Sequence, residues 1–146
     1  MSGPAMPDAA AIEALVPHAG TMSLWDQVLA WDGERIVLRA WRHRDPDHPL
    51  RARGRLHAVH LCEYGAQAMA VHGGLRAKAA GTTARPGLLV GLRAVALHVE
   101  RIDDLPGDLE CEATLLMDSP VGWQYRFTLR HDGAVLATGE ATVMPG

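Results

Sequence analysis

The chain has 146 residues, of which 48% are apolar and 21% are charged, and its formal net charge is −3. This composition excludes a disordered chain, and the acidic balance argues against a nucleic-acid partner, which needs a basic surface. No stretch approaches the roughly 18 uninterrupted apolar residues that a membrane span requires. Cys62 and Cys111 stand far apart without CxxC spacing. We therefore expect one domain over residues 1–146, in the reducing cytoplasm.

The amino-terminal part of the chain predicts a brief helix and a hairpin. Asp8 is suited to cap a helix over residues 9–16, where apolar residues share one side. Residues 25–31 and 35–41 have strand character, and Asp32-Gly33 between them is a strong hairpin signal. We expect a two-stranded ribbon to follow the first helix.

A polar loop and the longest helix come next. Residues 42–55 are rich in charged residues, proline and glycine, which predicts a loop. From residue 56 to about residue 72 the spacing becomes helical, and Gly73-Gly74 supplies a stop signal. Many residues of this helix are small, so we expect another backbone to approach it closely.

The remainder of the chain predicts antiparallel strands. Residues 88–99 are apolar enough for a central strand that is buried on much of both faces. Residues 109–115 and 123–130 alternate apolar and polar side chains, and Asp132-Gly133 turns into a last strand over 135–143. This order predicts an α+β fold with one helix laid on a sheet. The edge strand of such a sheet can be covered by a second copy, so we expect a dimer.

A histidine-rich stretch precedes the start of the long helix. His57, His60 and Glu63 follow at three-residue intervals near one helical stripe. We expect no metal there, because dedicated metal sites usually surround the ion with well-separated ligands. By periodicity Cys62 faces the inner side of the helix, so we expect a buried, inert thiol. The sequence contains neither a Gly-rich phosphate loop nor a nucleophile elbow, and we expect no cofactor.

Several stretches resemble the 3-hydroxyacyl-(acyl carrier protein) dehydratases. Residues 16–18 and 26–28 resemble the opening motif of that family, and residues 63–68 resemble its E-x-x-A-Q helix. The branch of the family found in aryl polyene biosynthesis carries stretches similar to residues 48–50 and 87–89 as well. The resemblance spans nearly the whole chain. It implies a hot-dog fold, in which an antiparallel sheet wraps around one long central helix.

The resemblance also implies site residues. Glu63 matches the catalytic acidic position, and Gln67 one turn later fixes the register and lies in the binding site. The family's H-x-x-G-x-P-x-x-P-G loop is missing, and Arg51 to Arg55 stand in its place. His48 lies 15 residues before Glu63, close to the family's separation, so it is favoured over His18 as the histidine partner. His18 is equally suited to brace its loop through backbone hydrogen bonds.

The basic segment and the family together suggest partners. Arg51, Arg53 and Arg55 form either a solvated loop or a docking site for the acidic helix of an acyl carrier protein. The expected function is dehydration of 3-hydroxyacyl carrier-protein thioesters in fatty acid or aryl polyene type biosynthesis. An acyl thioesterase and a non-catalytic subunit remain alternatives, since the fold alone does not choose among them. We expect a homodimer, or a heterodimer with another hot-dog subunit.

Overall fold

The computed structural model describes residues 6–15, 23–82 and 87–145. Two helices and six strands follow one another along these residues, with 3₁₀ turns at Arg42–Arg44 and Ala58–His60. The elements in chain order are α1 (Ala9–Leu15), β1 (Gln27–Trp31), β2 (Arg35–Ala40), α2 (Leu61–Ala79), β3 (Gly87–Leu97), β4 (Leu109–Ser119), β5 (Gly122–His131) and β6 (Ala134–Pro145).

The six strands form one antiparallel sheet in the order β1-β2-β4-β5-β6-β3. β4, β5 and β6 form a meander, while β3 pairs with β6 although it precedes β4 in the sequence. The helix α2 contacts β2, β4, β5 and β6. The predicted hot-dog arrangement of one long helix covered by one antiparallel sheet is confirmed.

The residues that predict caps and turns adopt the expected local structure. The Asp8 carboxylate accepts an N–H from the first turn of α1 at 3.1 Å. The Asp32 carboxylate accepts the backbone N–H groups of Glu34 and Arg35 at 2.8 and 2.9 Å, which closes the β1–β2 hairpin. Asp132 and Gly133 have φ values of 50° and 78°, a pair of left-handed residues that suits a tight two-residue hairpin. These predictions depend on contacts within a few residues.

The predicted end of the long helix is wrong. α2 continues through Gly73-Gly74 to Ala79, and Gly81 then follows with φ +74°. Gly74 lies against α1, where an added Cβ would come within 2.8 Å of the Leu15 carbonyl oxygen. The absence of a side chain therefore lets α1 pack closely on α2 and does not end the helix. The α-helix also begins later than predicted, at Leu61, after a 3₁₀ turn.

The predicted position of the apolar strand is also wrong. β3 is an edge strand, and nearly all of its side chains are exposed in the single chain. Its large exposed apolar residues are Leu88, Leu89, Val90, Leu92, Val95 and Leu97. A continuous apolar run indicates burial, but a run of this kind is also typical of an interface between chains. In the single chain this face is uncovered.

Two glycines set the distance between the helix and the sheet. Phe127 on β5 is fully buried, with Gly65 of α2 on one side of its ring and Gly139 of β6 on another. A Cβ added at Gly65 or at Gly139 would lie 2.8 or 2.5 Å from ring atoms. The predicted close approach of a second backbone to the small residues of α2 is seen here.

Candidate active site

Glu63 lies in the first turn of α2 and is in direct contact with a histidine. Its Oε1 is 2.8 Å from Nδ1 of His60, which is the N-cap residue of the same helix. The Glu63 side chain is 46% exposed and the His60 side chain is 24% exposed. The amino-terminal end of a helix carries partial positive charge, which favours negative groups nearby. A carboxyl–imidazole pair is thus presented to solvent at the positive end of the central helix.

The surface of α2 around this pair is incompletely covered by the sheet. Partly exposed residues recur along one stripe of the helix, namely Cys62, Glu63, Ala66, Gln67 and Ala70. The opposite residues, Leu61, Tyr64, Ala68 and Val71, are buried. Burial raises the pKa of the Cys62 thiol, and the neighbouring Glu63 carboxylate raises it further, so this thiol is a poor nucleophile. A ligand or a second subunit can therefore reach the stripe that carries Glu63.

His48, the partner favoured from the sequence, is engaged elsewhere. Its ring is buried, Nε2 is 3.1 Å from the Tyr64 hydroxyl, and Nδ1 accepts the backbone N–H of Leu50 at 3.1 Å. Because Nδ1 accepts, the ring hydrogen is on Nε2 and is donated to Tyr64. Burial lowers the pKa of His48, and the Arg42 guanidinium lowers it further. Within the described ranges, no hydrogen bond or ion pair joins His48 to Glu63.

Tyr64 is a site-forming residue that the sequence reasoning missed. It is fully buried, and burial raises the pKa of its hydroxyl. The indole N–H of Trp25 donates to the Tyr64 carbonyl oxygen at 2.8 Å, and the two rings meet edge to face at 5.3 Å. With His48 on its hydroxyl, Tyr64 anchors the first turn of α2 from two sides. The available signal was its position directly after Glu63 in the sequence.

Gln67 of α2 contacts the segment before β1, the part of the sequence that also contains His18. The Gln67 side-chain oxygen accepts the backbone N–H of Leu24 at 2.8 Å, which ties α2 to that segment. His18 lies outside the described residues. The structure thus shows Gln67 in a bracing contact one turn after Glu63.

The three arginines of the basic segment differ in their surroundings. The Arg51 guanidinium is mostly covered and lies 3.8 Å from the Asp103 carboxylate. It donates hydrogen bonds to the backbone carbonyls of Arg44, Asp45 and Gly54 at 2.8 to 2.9 Å. Arg53, with φ +55°, and Arg55 are exposed. Arg51 therefore holds the loop together, and Arg53 and Arg55 are the members of this trio that face solvent.

Asp103 connects this loop to the residues before α2. Its buried carboxylate accepts the backbone N–H of Leu56 at 2.8 Å and forms a salt bridge with Arg101. The Arg101 guanidinium, followed by the Leu56 N–H, holds the pKa of the Asp103 carboxyl well below its usual range. The chain leading into the candidate site is thereby fixed to the segment after β3.

The histidine stretch does not form a metal site in the part of the chain that is described. No group of three or more His, Cys, Asp or Glu side chains is placed there to hold an ion. His57 does not join the Glu63–His60 pair, because its Nδ1 accepts the backbone N–H of Val59 at 3.0 Å and caps a 3₁₀ turn. Among the described helices, none has the length and apolar character needed to cross a membrane.

The model of one protein family, ApeP-like, described as ApeP dehydratase, matches residues 10–146. The chain belongs to the ApeP-like family. This confirms the resemblance of the sequence to dehydratases of the aryl polyene branch. No curated protein matches the chain in sequence.

Solved structures share the fold of this ApeP-like chain. A chain of the dehydratase heterocomplex ApeI:P from Xenorhabdus doucetiae is 24% identical, with a TM-score of 0.84 over 92% of this chain and 90% of that chain. Zebrafish thioesterase superfamily member 2 is 18% identical, with a TM-score of 0.63 over 94% and 95%. A mutant of the phenylacetic acid degradation protein PaaI from Thermus thermophilus is 19% identical, with a TM-score of 0.57 over 82% and 91%. At these identities the likeness concerns the fold.

Proposed function

We propose that this ApeP-like chain is a dehydratase that removes water from 3-hydroxyacyl thioesters of an acyl carrier protein, in fatty acid or aryl polyene type biosynthesis. The observation that carries the proposal is the half-exposed Glu63 carboxylate in the first turn of α2, at the acidic position of the family motif. The reducing cytoplasm suits the two free thiols, Cys62 and Cys111. We therefore place the activity in that compartment.

The reaction needs three chemical groups, and the start of α2 offers suitable ones. A base removes the proton beside the thioester carbonyl, an acid protonates the departing hydroxyl, and a donor polarises the thioester oxygen. A histidine supported by the Glu63 carboxylate supplies the base and the acid. The first-turn N–H groups of α2 are suited to the oxygen, on which negative charge develops. No cofactor is needed for this elimination.

The histidines favoured from the sequence differ in how they fit this role. Both ring nitrogens of His48 are hydrogen-bonded within the chain, and the ring is buried. We propose that His48 braces Tyr64, and thereby the first turn of α2, and is not the proton carrier. For His18, the bracing of its loop remains our proposal.

We further propose that the site is completed by a second hot-dog subunit, either a copy of this chain or a different one. The support is β3, an edge strand of 11 residues whose apolar side chains are exposed along its length. An edge with unpaired backbone groups and an apolar face favours association with another chain. The solved ApeI:P structure is a dehydratase heterocomplex.

A charge placed on β3 is expected to prevent this association. Leu92→Asp should shift the chain from dimer to monomer, because the aspartate would be buried without a partner in the interface. Sedimentation velocity at micromolar concentration measures the change. Val121→Asp is the matched control, since Val121 is 71% exposed and lies in the β4–β5 turn, outside β3. A monomeric wild-type chain would contradict the homodimer, and an unaffected Leu92→Asp variant would contradict this position of the interface.

Carrier-protein docking is expected to depend on the two exposed arginines. The double variant Arg53→Ser/Arg55→Ser should lower kcat/KM for carrier-bound substrate about 10-fold or more, and should spare a short soluble thioester. The reason is that exposed cations on a docking surface mainly affect the association rate, so the loss should shrink as salt is raised. Lys78→Ser, an exposed cation at the other end of α2, is the control. Equal losses on both substrates would show that these arginines do not dock the carrier.

The direct test of the function is an assay of the purified chain with a 3-hydroxyacyl carrier-protein thioester. Formation of a conjugated alkene without release of thiol supports the dehydratase. Release of free thiol would identify a thioesterase, the activity named for the zebrafish protein of the same fold. Absence of both products until a second hot-dog subunit is added, together with unchanged activity of the mixture when this chain carries Glu63→Gln, would identify a non-catalytic subunit.

A further inference from the structure

His60 is the histidine that contacts Glu63. It is a different residue from His48, and it lies outside the motifs on which the family resemblance depends. His60 stands three residues before Glu63, and its Nδ1 is 2.8 Å from Glu63 Oε1. We propose that His60 is the catalytic histidine of this chain and that Glu63 holds it in position. This inference rests on the dehydratase function proposed above and names the proton carrier of that site.

The hydrogen-bond geometry determines which nitrogen of His60 is available. An ionised carboxylate only accepts hydrogen bonds, so Nδ1 carries the ring hydrogen and donates it to Glu63. Nε2 then holds a lone pair, and among the described residues it has no hydrogen-bond partner. A carboxylate that fixes the tautomer and orientation of an imidazole, leaving the other nitrogen free as a base, is a recurrent catalytic arrangement. His60 has this arrangement at the exposed start of α2.

Four other histidines have hydrogen bonds that hold them in different roles. His43 bonds the Leu105 carbonyl, His48 bonds Tyr64, and His57 caps a 3₁₀ turn. His72 is fully buried between the Asp32 carbonyl oxygen and the Tyr125 hydroxyl. Of the histidines in the described ranges, His60 is the one in contact with Glu63. It therefore supplies the imidazole that His48 cannot bring to the carboxylate in this arrangement.

The elimination balances with His60 as the single proton carrier. Nε2 takes the proton from the carbon beside the thioester carbonyl, and the electron pair of that C–H bond forms the new carbon–carbon double bond. The bond between the 3-carbon and its hydroxyl breaks, and the imidazolium gives the same proton to the leaving oxygen, which departs as water. His60 ends neutral. Glu63 stays ionised throughout and stabilises the imidazolium.

Two substitutions of His60 distinguish two possible roles of this residue, which are proton transfer and hydrogen-bonding support of Glu63. His60→Ala should lower kcat on a soluble 3-hydroxyacyl thioester by about two to four orders of magnitude, and added imidazole should restore part of the loss. His60→Asn should be similarly impaired, although its amide N–H can still donate to Glu63. Lys78→Ala is the control, since Lys78 is an exposed residue at the other end of α2. Circular dichroism and thermal unfolding establish that each variant is folded.

The outcomes distinguish this inference from the function on which it rests. An active wild-type chain with near-normal turnover of His60→Asn would show that His60 only supports Glu63, and would overturn the inference alone. Near-normal turnover of His60→Ala would do the same. A wild-type chain that forms no alkene, alone or with a second hot-dog subunit, would overturn the dehydratase function and the inference with it.

Discussion

Glu63→Gln is expected to lower turnover of a 3-hydroxyacyl thioester by about two to four orders of magnitude, the range that general acid–base groups usually supply. Glutamine has nearly the same shape, but it has no charge with which to stabilise an imidazolium on His60. Because the Glu63 side chain is 46% exposed, the substitution should leave the fold and acyl binding unchanged. The expected signature is therefore a large fall in kcat with little change in KM.

The control for this experiment is another exposed carboxylate. Glu13→Gln in α1 removes the same charge from an exposed position, and its turnover should equal that of the wild-type chain. Thermal unfolding of both variants establishes that they are folded. Should Glu63→Gln retain near-normal dehydration, the catalytic role of this carboxylate would be disproved. If the wild-type chain itself shows no dehydration, it would instead be assigned as the non-catalytic subunit of a hot-dog pair.

Gly65→Ala is expected to have a large effect on stability. The added Cβ would lie 2.8 Å from the ring of Phe127, which Gly139 of β6 also contacts closely. Forcing extra volume into a packed core costs about 1–3 kcal/mol. The higher helix propensity of alanine than of glycine stabilises the fold by up to about 1 kcal/mol. The net change in the free energy of unfolding should therefore still be destabilising. Urea-induced unfolding measures the free-energy difference.

The same helix contains the matched control. Gly73 has no atoms within 4 Å of an added Cβ, so Gly73→Ala should stabilise the chain by about 0.5–1 kcal/mol through helix propensity alone. In the double variant Gly65→Ala/Phe127→Leu, the loss should be smaller than the sum of the two single losses, because the smaller side chain makes room for the Cβ. Additive losses would show that Gly65 is not limited by Phe127.

The elements that could be predicted from the sequence are those decided by near neighbours. The caps and turns at Asp8, Asp32 and Asp132 depend on hydrogen bonds and backbone angles within three residues. The alternation of β4 and β5 follows from the period of a strand with one buried face. The acidic position at the start of α2 was found because the family motif marks it, and the structure places Glu63 in the first turn.

The errors occurred where distant residues decide the outcome. Gly73-Gly74 carries a stop signal, yet Gly74 serves the close packing of α1, 59 residues earlier at Leu15. The apolar pattern of β3 predicts a buried strand, whereas β3 lies exposed at the edge of the sheet in the single chain. In the first case, packing against a distant segment outweighed the local tendency of glycine to end a helix. In the second case, the position of the strand in the whole sheet decided whether it is exposed.

By itself, the sequence determined the family, the hot-dog fold and the position of Glu63 within the family motif, because hydrophobic period, turn residues and motif spacing are all local properties of the chain. The tertiary structure decided the roles of the side chains around Glu63. His48 and His60 are the same residue type and both precede Glu63 in the sequence, but one ring contacts Tyr64 in the core and the other contacts the carboxylate. The role of an imidazole is set by the donors and acceptors that reach its two nitrogens, and only the folded chain brings those groups together.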